Sequence, residues 1–432
     1  MNSGSVVWRM SGLRCIAWVC LMAMASTSWA EGTSEDAEDE GVSVAGIPVV
    51  TFNSDDGLGG GLLGAVFYND GTLPYRYAAT VLTFYTTKGV QAHELKLDAI
   101  DLLQLPLRVT SRVGFFHTIS YNYCGLGNDV TCDVDDAKRA ASIAQLSPLD
   151  DDYDAFVRTY HQTRFMRLWG LVDARYTLYA PLKLQAFAGA RLFFHQPGAL
   201  FGDDGSFLDL TRYPGSLLER HTTADSQTGL ASVVQLGLMF DTRDNEPAPT
   251  RGFWVEASVR AATPFWGSKW TFAGANVTAR SYVPLASDGS VVLAHRLVVD
   301  VMVGDMPVQE MVRVGGTWDY TAFGGLEAGR GIRIQRNIGR VKAMQQSELR
   351  VDVFEWALLG QNFKHTLVGF LDAASIGVDV TDWGGRPFKV NLAAGMGTRF
   401  AWNESFVLRA DVGFSPDENY APGIYLAMNN VF

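Results

Sequence analysis

The chain is short of cysteine, of positive charge and of apolar runs long enough to cross a bilayer as a helix, and each shortage narrows what it can be. Of its four cysteines, Cys15 and Cys20 lie near the N-terminus, which leaves Cys124 and Cys132 for the rest of the chain. Their segment, YCGLGNDVTCDV, is rich in Gly, Asn and Asp. An even pair so close together in an exported protein points to a local disulfide. A zinc site would need two further ligands, and His117 and His161 are poorly spaced to supply them. The disulfide is therefore favoured over a metal, and no cofactor is expected. Lys and Arg number 35 against 46 Asp and Glu, for a formal net charge of −11. A basic face is the electrostatic footprint of nucleic-acid binding, and nothing here supplies one, so no nucleic-acid partner is expected.

The apolar run at residues 15–25 spans eleven positions, behind Arg9 and Arg14 and ahead of Ser28-Trp29-Ala30. This is the pattern of an export signal occupying 1–30, with cleavage after Ala30, and it is too short to span a membrane. Removing it takes two arginines and no acid, which moves the net charge from −11 to −13. Six acids among the next eleven residues, EGTSEDAEDEG, predict a solvated, disordered lead-in over 31–45.

What the chain does have is alternation. Glu94, Lys96 and Asp98 oppose Leu95, Leu97 and Ala99; Glu256, Ser258 and Arg260 oppose Val255, Ala257 and Val259; Glu348, Arg350 and Asp352 oppose Leu349, Val351 and Val353. Arg108, Thr110 and Arg112 continue the pattern, as do Arg399, Arg409 and Asp411. Period two is the signature of strands with unlike faces. Charge on one face of strand after strand suits a barrel with a wet interior and a lipid-facing exterior. Closure is then compulsory, because an open edge in lipid leaves backbone groups unpaired.

The pattern predicts an all-β, transmembrane, antiparallel barrel over 46–432, with sixteen strands from 46–54 through a twelfth at 334–353 to a last at 423–432. Connections such as LLQLP and PLASDGS are short, whereas those near 120–161, 196–228 and 304–333 are long. That asymmetry matches short periplasmic turns and long extracellular loops. In the terminal segment GIYLAMNNVF, Ile424, Leu426, Met428 and Phe432 share one face. Tyr425 and the terminal Phe432 give this strand the look of an outer-membrane sorting signal.

From about residue 235 the chain resembles the BamA/TamA superfamily of bacterial surface-antigen barrels. The segment DTRDNEPAPTRG (241–252) is similar to a family signature, and FGGLEAGRGIRIQRN (323–337) carries the Arg-Gly pair of the family's sixth extracellular loop at Arg330 and Gly331. The resemblance implies that this loop folds into the lumen, where Glu348 and Asp372 receive Arg330; Phe370 and Ala373 belong to the same strand motif. The sequence departs from the pattern at Ile332, where the family has an aromatic, and at Ala374, where it has a Gly. Arg333 is a second candidate for the latch. The segment YCGLGND resembles a Gly-Leu-Gly-Asn motif of barrels without periplasmic modules, and residues 31–45 leave no room for a POTRA module ahead of the first strand.

The resemblance implies an outer-membrane protein of a Gram-negative bacterium that inserts or translocates protein, or moves lipid. Its expected partners are outer-membrane lipid, the barrel assembly machinery during its own biogenesis, and a separate periplasmic or secreted protein. A passive gated pore is the alternative. A hydrolase built on His117 or His195 with Ser120 or Ser206 is a third reading, but no nucleophile elbow accompanies those residues, so no enzymatic activity is expected.

Overall fold

A computed structural model describes residues 41–432 apart from 54–55, 73–74, 129, 131, 133, 198–217, 219–220, 246–247, 318–322, 359–360, 382–388, 403–405 and 429. The expected signal over 1–30 and the lead-in over 31–40 lie outside the described residues. Residues 41–45, expected to belong to the lead-in, are instead the start of the first strand.

The strands are β1 (Gly41–Asn53), β2 (Gly57–Asn69), β3 (Tyr77–Thr86), β4 (Gln91–Ala99), β5 (Leu107–Asn122), β6 (Gln162–Tyr179), β7 (Leu184–Pro197) and β8 (Gly229–Asp241). They continue as β9 (Gly252–Ala262), β10 (Phe272–Pro284), β11 (Val291–Gly304), β12 (Val341–Leu358), β13 (Gln361–Gly377), β14 (Asn391–Trp402), β15 (Phe406–Phe414) and β16 (Gly423–Met428). Each pairs with its neighbours in sequence, and β1 meets β16 to close the ring. The alternation explains the wall. Leu95, Leu97, Val113 and Leu349 are exposed on the outer face. Inward side chains pair across strands, as Arg108 does with Asp98 at 2.6 Å, Arg112 with Glu94 at 2.7 Å and Arg260 with Asp300 at 2.7 Å. Buried charges persist only when paired in this way.

Trp356, Phe363, Phe400 and Trp402 contact one another at the end that carries short turns, with centroids 5.5–6.1 Å apart. Such a row is what an interfacial aromatic girdle requires. At the opposite end, the β5–β6 connection carries helices α1 (Val134–Ile143) and α2 (Tyr153–Thr159), which pack Ala137 and Ala141 against Phe156 and Tyr160. Cys124 and Cys132 are bonded in the same connection, with Cα atoms 4.9 Å apart.

Two further boundaries differ from the expectation. β12 begins at Val341 rather than 334, because residues 334–338 serve another contact described below. β16 stops at Met428, and the chain then leaves the wall. Phe432 therefore does not share the outer face with Ile424. It is buried with Tyr282, Val292 and Ala294, and the Arg296 and Arg350 guanidiniums lie 5.1 and 5.5 Å from its ring centroid. Two cations close to one aromatic ring, with Arg350 also donating to the main-chain oxygen of Phe432 at 2.9 Å, account for the inward turn. Tyr425 likewise faces inward and is buried.

The closing contact is slight. Among the described residues β1 pairs with β2 at thirteen positions, from Gly41–Asn69 to Asn53–Gly57, but with β16 only at Phe52–Leu426 and Asn53–Tyr425.

Candidate functional site

Strand parity sets up the site. In β12 it turns Gln346, Glu348 and Arg350 inward, and in β13 it does the same for Phe370 and Asp372, with Gln346 opposite Asp372 and Glu348 opposite Phe370. β14 supplies Arg399, and β15 supplies Arg409 and Asp411. The β11–β12 connection brings Arg330 to this wall. Its Nε donates to Asp372 Oδ2 and one Nη to Asp372 Oδ1, both at 3.0 Å, a bidentate fork. The other Nη donates to Glu348 Oε1 at 2.7 Å and to Asp411 Oδ2 at 3.4 Å. The Arg330 amide also donates to Asp372, at 3.0 Å. Below the guanidinium lies the Phe370 ring, 3.6 Å from its carbon to the centroid. Arg330, Glu348, Asp372 and Asp411 are all 0% exposed.

Three carboxylates could not share so small a space without more than one cation. Arg399 donates to Asp411 at 2.6 Å and to Glu348 at 3.1 Å, and Arg350 donates to Glu348 at 2.9 Å. Arg409 lies 3.7 Å from Asp411. Charge-assisted bonds of this kind are about twice as strong as neutral ones. A charge left there without its partner would cost on the order of 3–5 kcal/mol.

Glycines make the room. A Cβ at Gly397 would collide with the Asp411 carboxylate, and one at Gly395 would lie 2.5 Å from Phe370 Cζ. Gly331 has φ +108°, and a Cβ there would come within 2.5–2.6 Å of the Gly413–Phe414 backbone. The Arg330–Gly331 peptide thus lies flat against β15, where only glycine allows two backbones so close. The Gly331 amide then donates to the Tyr425 hydroxyl at 3.0 Å.

Arg333, the other latch candidate, points elsewhere. It reaches Glu418 in the β15–β16 connection at 3.2 Å with its side chain 47% exposed, and Arg336 joins it at 2.7 Å. The upstream limb of the β11–β12 connection binds the other side of the wall. The Gly315 amide donates to Asp300 at 3.0 Å and the Thr317 amide to Glu256 at 2.8 Å, while Glu310 meets His195 Nε2 at 2.8 Å. His195 thus has a carboxylate as its neighbour rather than a serine; Ser206 and the Ser120 side chain lie outside what is described.

Sequence parity marks Asp411 and Arg399 as inward-facing but gives no sign that they join the Arg330 cluster. The only local hint is the inward Gly395 and Gly397 between them and Phe370. The anchors at Gly315, Thr317 and Glu310 carry no motif.

A family model described as the Omp85 superfamily domain matches residues 140–428. Among solved structures, the chain is similar to BamA from Haemophilus ducreyi lacking POTRA domains 1–3, at 12% identity and a TM-score of 0.55, covering 99% of this chain and 80% of that one. It is also similar to CdiB from Escherichia coli, at 11% identity and a TM-score of 0.56, covering 92% of this chain and 64% of that one. A sequence search of curated proteins found no match. At such identities the structural likeness is one of fold, and the family match over more than half the chain supplies the assignment. The chain belongs to the Omp85 superfamily and is a sixteen-stranded transmembrane β-barrel of the Gram-negative outer membrane.

Proposed function

We propose that this barrel inserts protein into the outer membrane or translocates it across, with the β11–β12 connection as an internal plug and the β1–β16 seam as the exit. The observation that carries the reading is a pairing of opposites in one wall. The plug residue Arg330 is fully buried against three carboxylates, while the seam beside it has two paired positions among the described residues. Tyr425 belongs to both, since it pairs with Asn53 at the seam and accepts the Gly331 amide. Release of the latch therefore loosens the last residue that holds the seam. Below that point, β1 residues 41–51 present an edge without a β16 partner among the described residues. Such an edge is a template for an incoming strand. The work is mechanical and no catalytic step is assigned. The partners are outer-membrane lipid, the assembly machinery for the barrel's own insertion, and a separate periplasmic or secreted protein as client.

The second reading, a passive gated pore, shares the plug and never opens the seam. Cysteines at 52 and 426, which are paired positions, separate the two. With purified protein in vesicles, oxidising that pair should abolish insertion of an unfolded test barrel and keep ion conductance. Insertion that continues through an oxidised seam rejects the exit and leaves the pore.

A further inference from the structure

We infer that the disulfide-closed loop Cys124–Cys132 is a crossbar over the mouth of the barrel, and that Asn128 is the positioning residue that fastens it. The inference rests on the plug reading above and adds a second lock to it. β5 and β6 carry this loop, yet β5 is eight places from β13 in a ring of sixteen, so the loop is fastened on the opposite wall.

The fastening is an amide used to capacity. Asn128 Nδ2 donates to the Lys389 carbonyl at 2.7 Å and to Ser375 Oγ at 3.1 Å. Its Oδ1 accepts from the Ile376 amide at 2.7 Å and from Asn391 Nδ2 at 2.8 Å. Lys389 Nζ returns a bond to the Asn128 carbonyl at 3.1 Å. Two donors and two acceptors are what one carboxamide offers, and a carboxylate of the same shape would set an oxygen against the Lys389 carbonyl, which can only accept.

Between its ends the loop lies on the plug's return limb. Leu126 forms a parallel bridge with Ile338, the Gly127 amide donates to the Ile338 carbonyl at 2.7 Å, and Asn337 Nδ2 donates to the Gly127 carbonyl at 3.3 Å. Asn122 Nδ2 reaches the Ile334 carbonyl at 3.3 Å. Gly125 and Gly127 have φ of +106° and +92°, and a Cβ at Gly127 would sit 2.9 Å from Val378. These contacts explain why the tip reads Gly-Leu-Gly-Asn. The disulfide closes the tip and reduces the disorder that docking must overcome. Residues 334–338 are consequently covered, and the plug cannot withdraw toward that mouth until the crossbar lifts.

The test uses the full chain folded in lipid vesicles, with proteinase K cleavage mapped separately to 304–337 and to 133–160. Asn128→Ala should speed cleavage within 304–337 about ten-fold, the effect of losing roughly one to two net hydrogen bonds. Asn128→Asp should approach the same value, and reducing the disulfide in already folded wild-type protein should give about a three-fold rise. Because Asn128 and Arg330 share no partner, the effects of Asn128→Ala and Arg330→Ala should multiply. If Arg330→Ala accelerates cleavage of 304–337 while the Asn128 variants and reduction accelerate only 133–160, the crossbar is overturned and the plug stands. If Arg330→Ala leaves 304–337 unchanged, the plug falls and the crossbar with it.

Discussion

The β12–β13 wall and the β1–β16 seam are the same kind of contact, antiparallel strands in one ring, and they could hardly differ more. The first runs in register from Val341–Gly377 to Leu358–Gln361 with one irregularity between Asp352 and Phe354. Among the described residues the second consists of Phe52–Leu426 and Asn53–Tyr425. The inner faces differ in the same sense, because β12 and β13 supply Glu348 and Asp372 to hold Arg330. β16 supplies one hydroxyl, from Tyr425, for the Gly331 amide. A barrel that only had to be stable would be closed evenly. Here a dense set of charge-assisted bonds around Arg330 stands beside the junction with the fewest paired positions among the described residues, and under the proposed function the freedom of the wall would depend on the position of the plug.

The largest way to break that contrast is Arg330→Ala. It removes the bidentate partner of Asp372 in a fully buried site and one of the three cations around Glu348, which keeps Arg350 and Arg399, at a cost of about 3 kcal/mol or roughly a hundred-fold shift in plug position. The expected result is a normally assembled, heat-modifiable barrel with larger or noisier conductance in planar bilayers. Glu348→Gln should act in the same direction. The double variant should be little worse than either single one, because neighbours in one network are not additive. Arg330→Lys should recover only part of the closure, since a lysine keeps the charge and loses the planar fork. A silent Arg330→Ala beside a disruptive Arg333→Ala would transfer the latch to Arg333, against the contacts seen with Glu418.

Tyr425→Phe is a smaller and sharper probe. It keeps the ring at the seam and removes the acceptor of the Gly331 amide, which should cost about 1 kcal/mol. Open time should rise about five-fold, and chemical crosslinking of the 52–426 cysteine pair should weaken in parallel. A change in conductance with unchanged seam crosslinking would separate the two regions that the account joins.

Much of this was legible in the chain, for a physical reason. Alternation is local, so parity alone places Glu94, Arg112, Glu256, Glu348 and Asp411 on the inner face and sets the number of strands. The Arg-Gly pair and the strand motif around Asp372 point to the latch. What parity cannot say is which inward residues meet across the barrel, and so Asp411 and Arg399 entered the Arg330 cluster only with the fold. Ile334 and Ile338 look like the start of a strand. They are claimed by the Asn122–Gly127 segment, a contact more than two hundred residues away in sequence. Phe432 looks lipid-facing from its parity with Ile424, and the cations that draw it inward belong to β11 and β12.

The smallest expected effect lies far from both regions, in the turn between β8 and β9. Asp244 accepts from the Thr250 amide at 3.0 Å and from the Arg251 amide at 3.2 Å. Partial burial pushes its carboxyl upward, but the Thr250 hydroxyl and the backbone amides outweigh that and leave it below the usual range. A lowered carboxyl stabilises the fold above its unfolded pKa and loses that contribution as pH falls through the folded value. Asp244→Asn should therefore lower the unfolding temperature by a degree or so at pH 7, a penalty on the order of 0.5 kcal/mol for a largely exposed group. The difference from wild type should vanish in strong acid, while conductance stays unchanged.

The central claim, that the plug is held more firmly than the seam, is tested most directly by hydrogen exchange on the full chain in lipid nanodiscs. The account predicts that amides of 41–51 exchange well before those of 323–338 in the wild type, and that Arg330→Ala brings 323–338 down to the rate of an exposed loop while β12 and β13 stay slow. Exchange of 323–338 that already outruns 41–51 in the wild type, or that ignores Arg330→Ala, would contradict it.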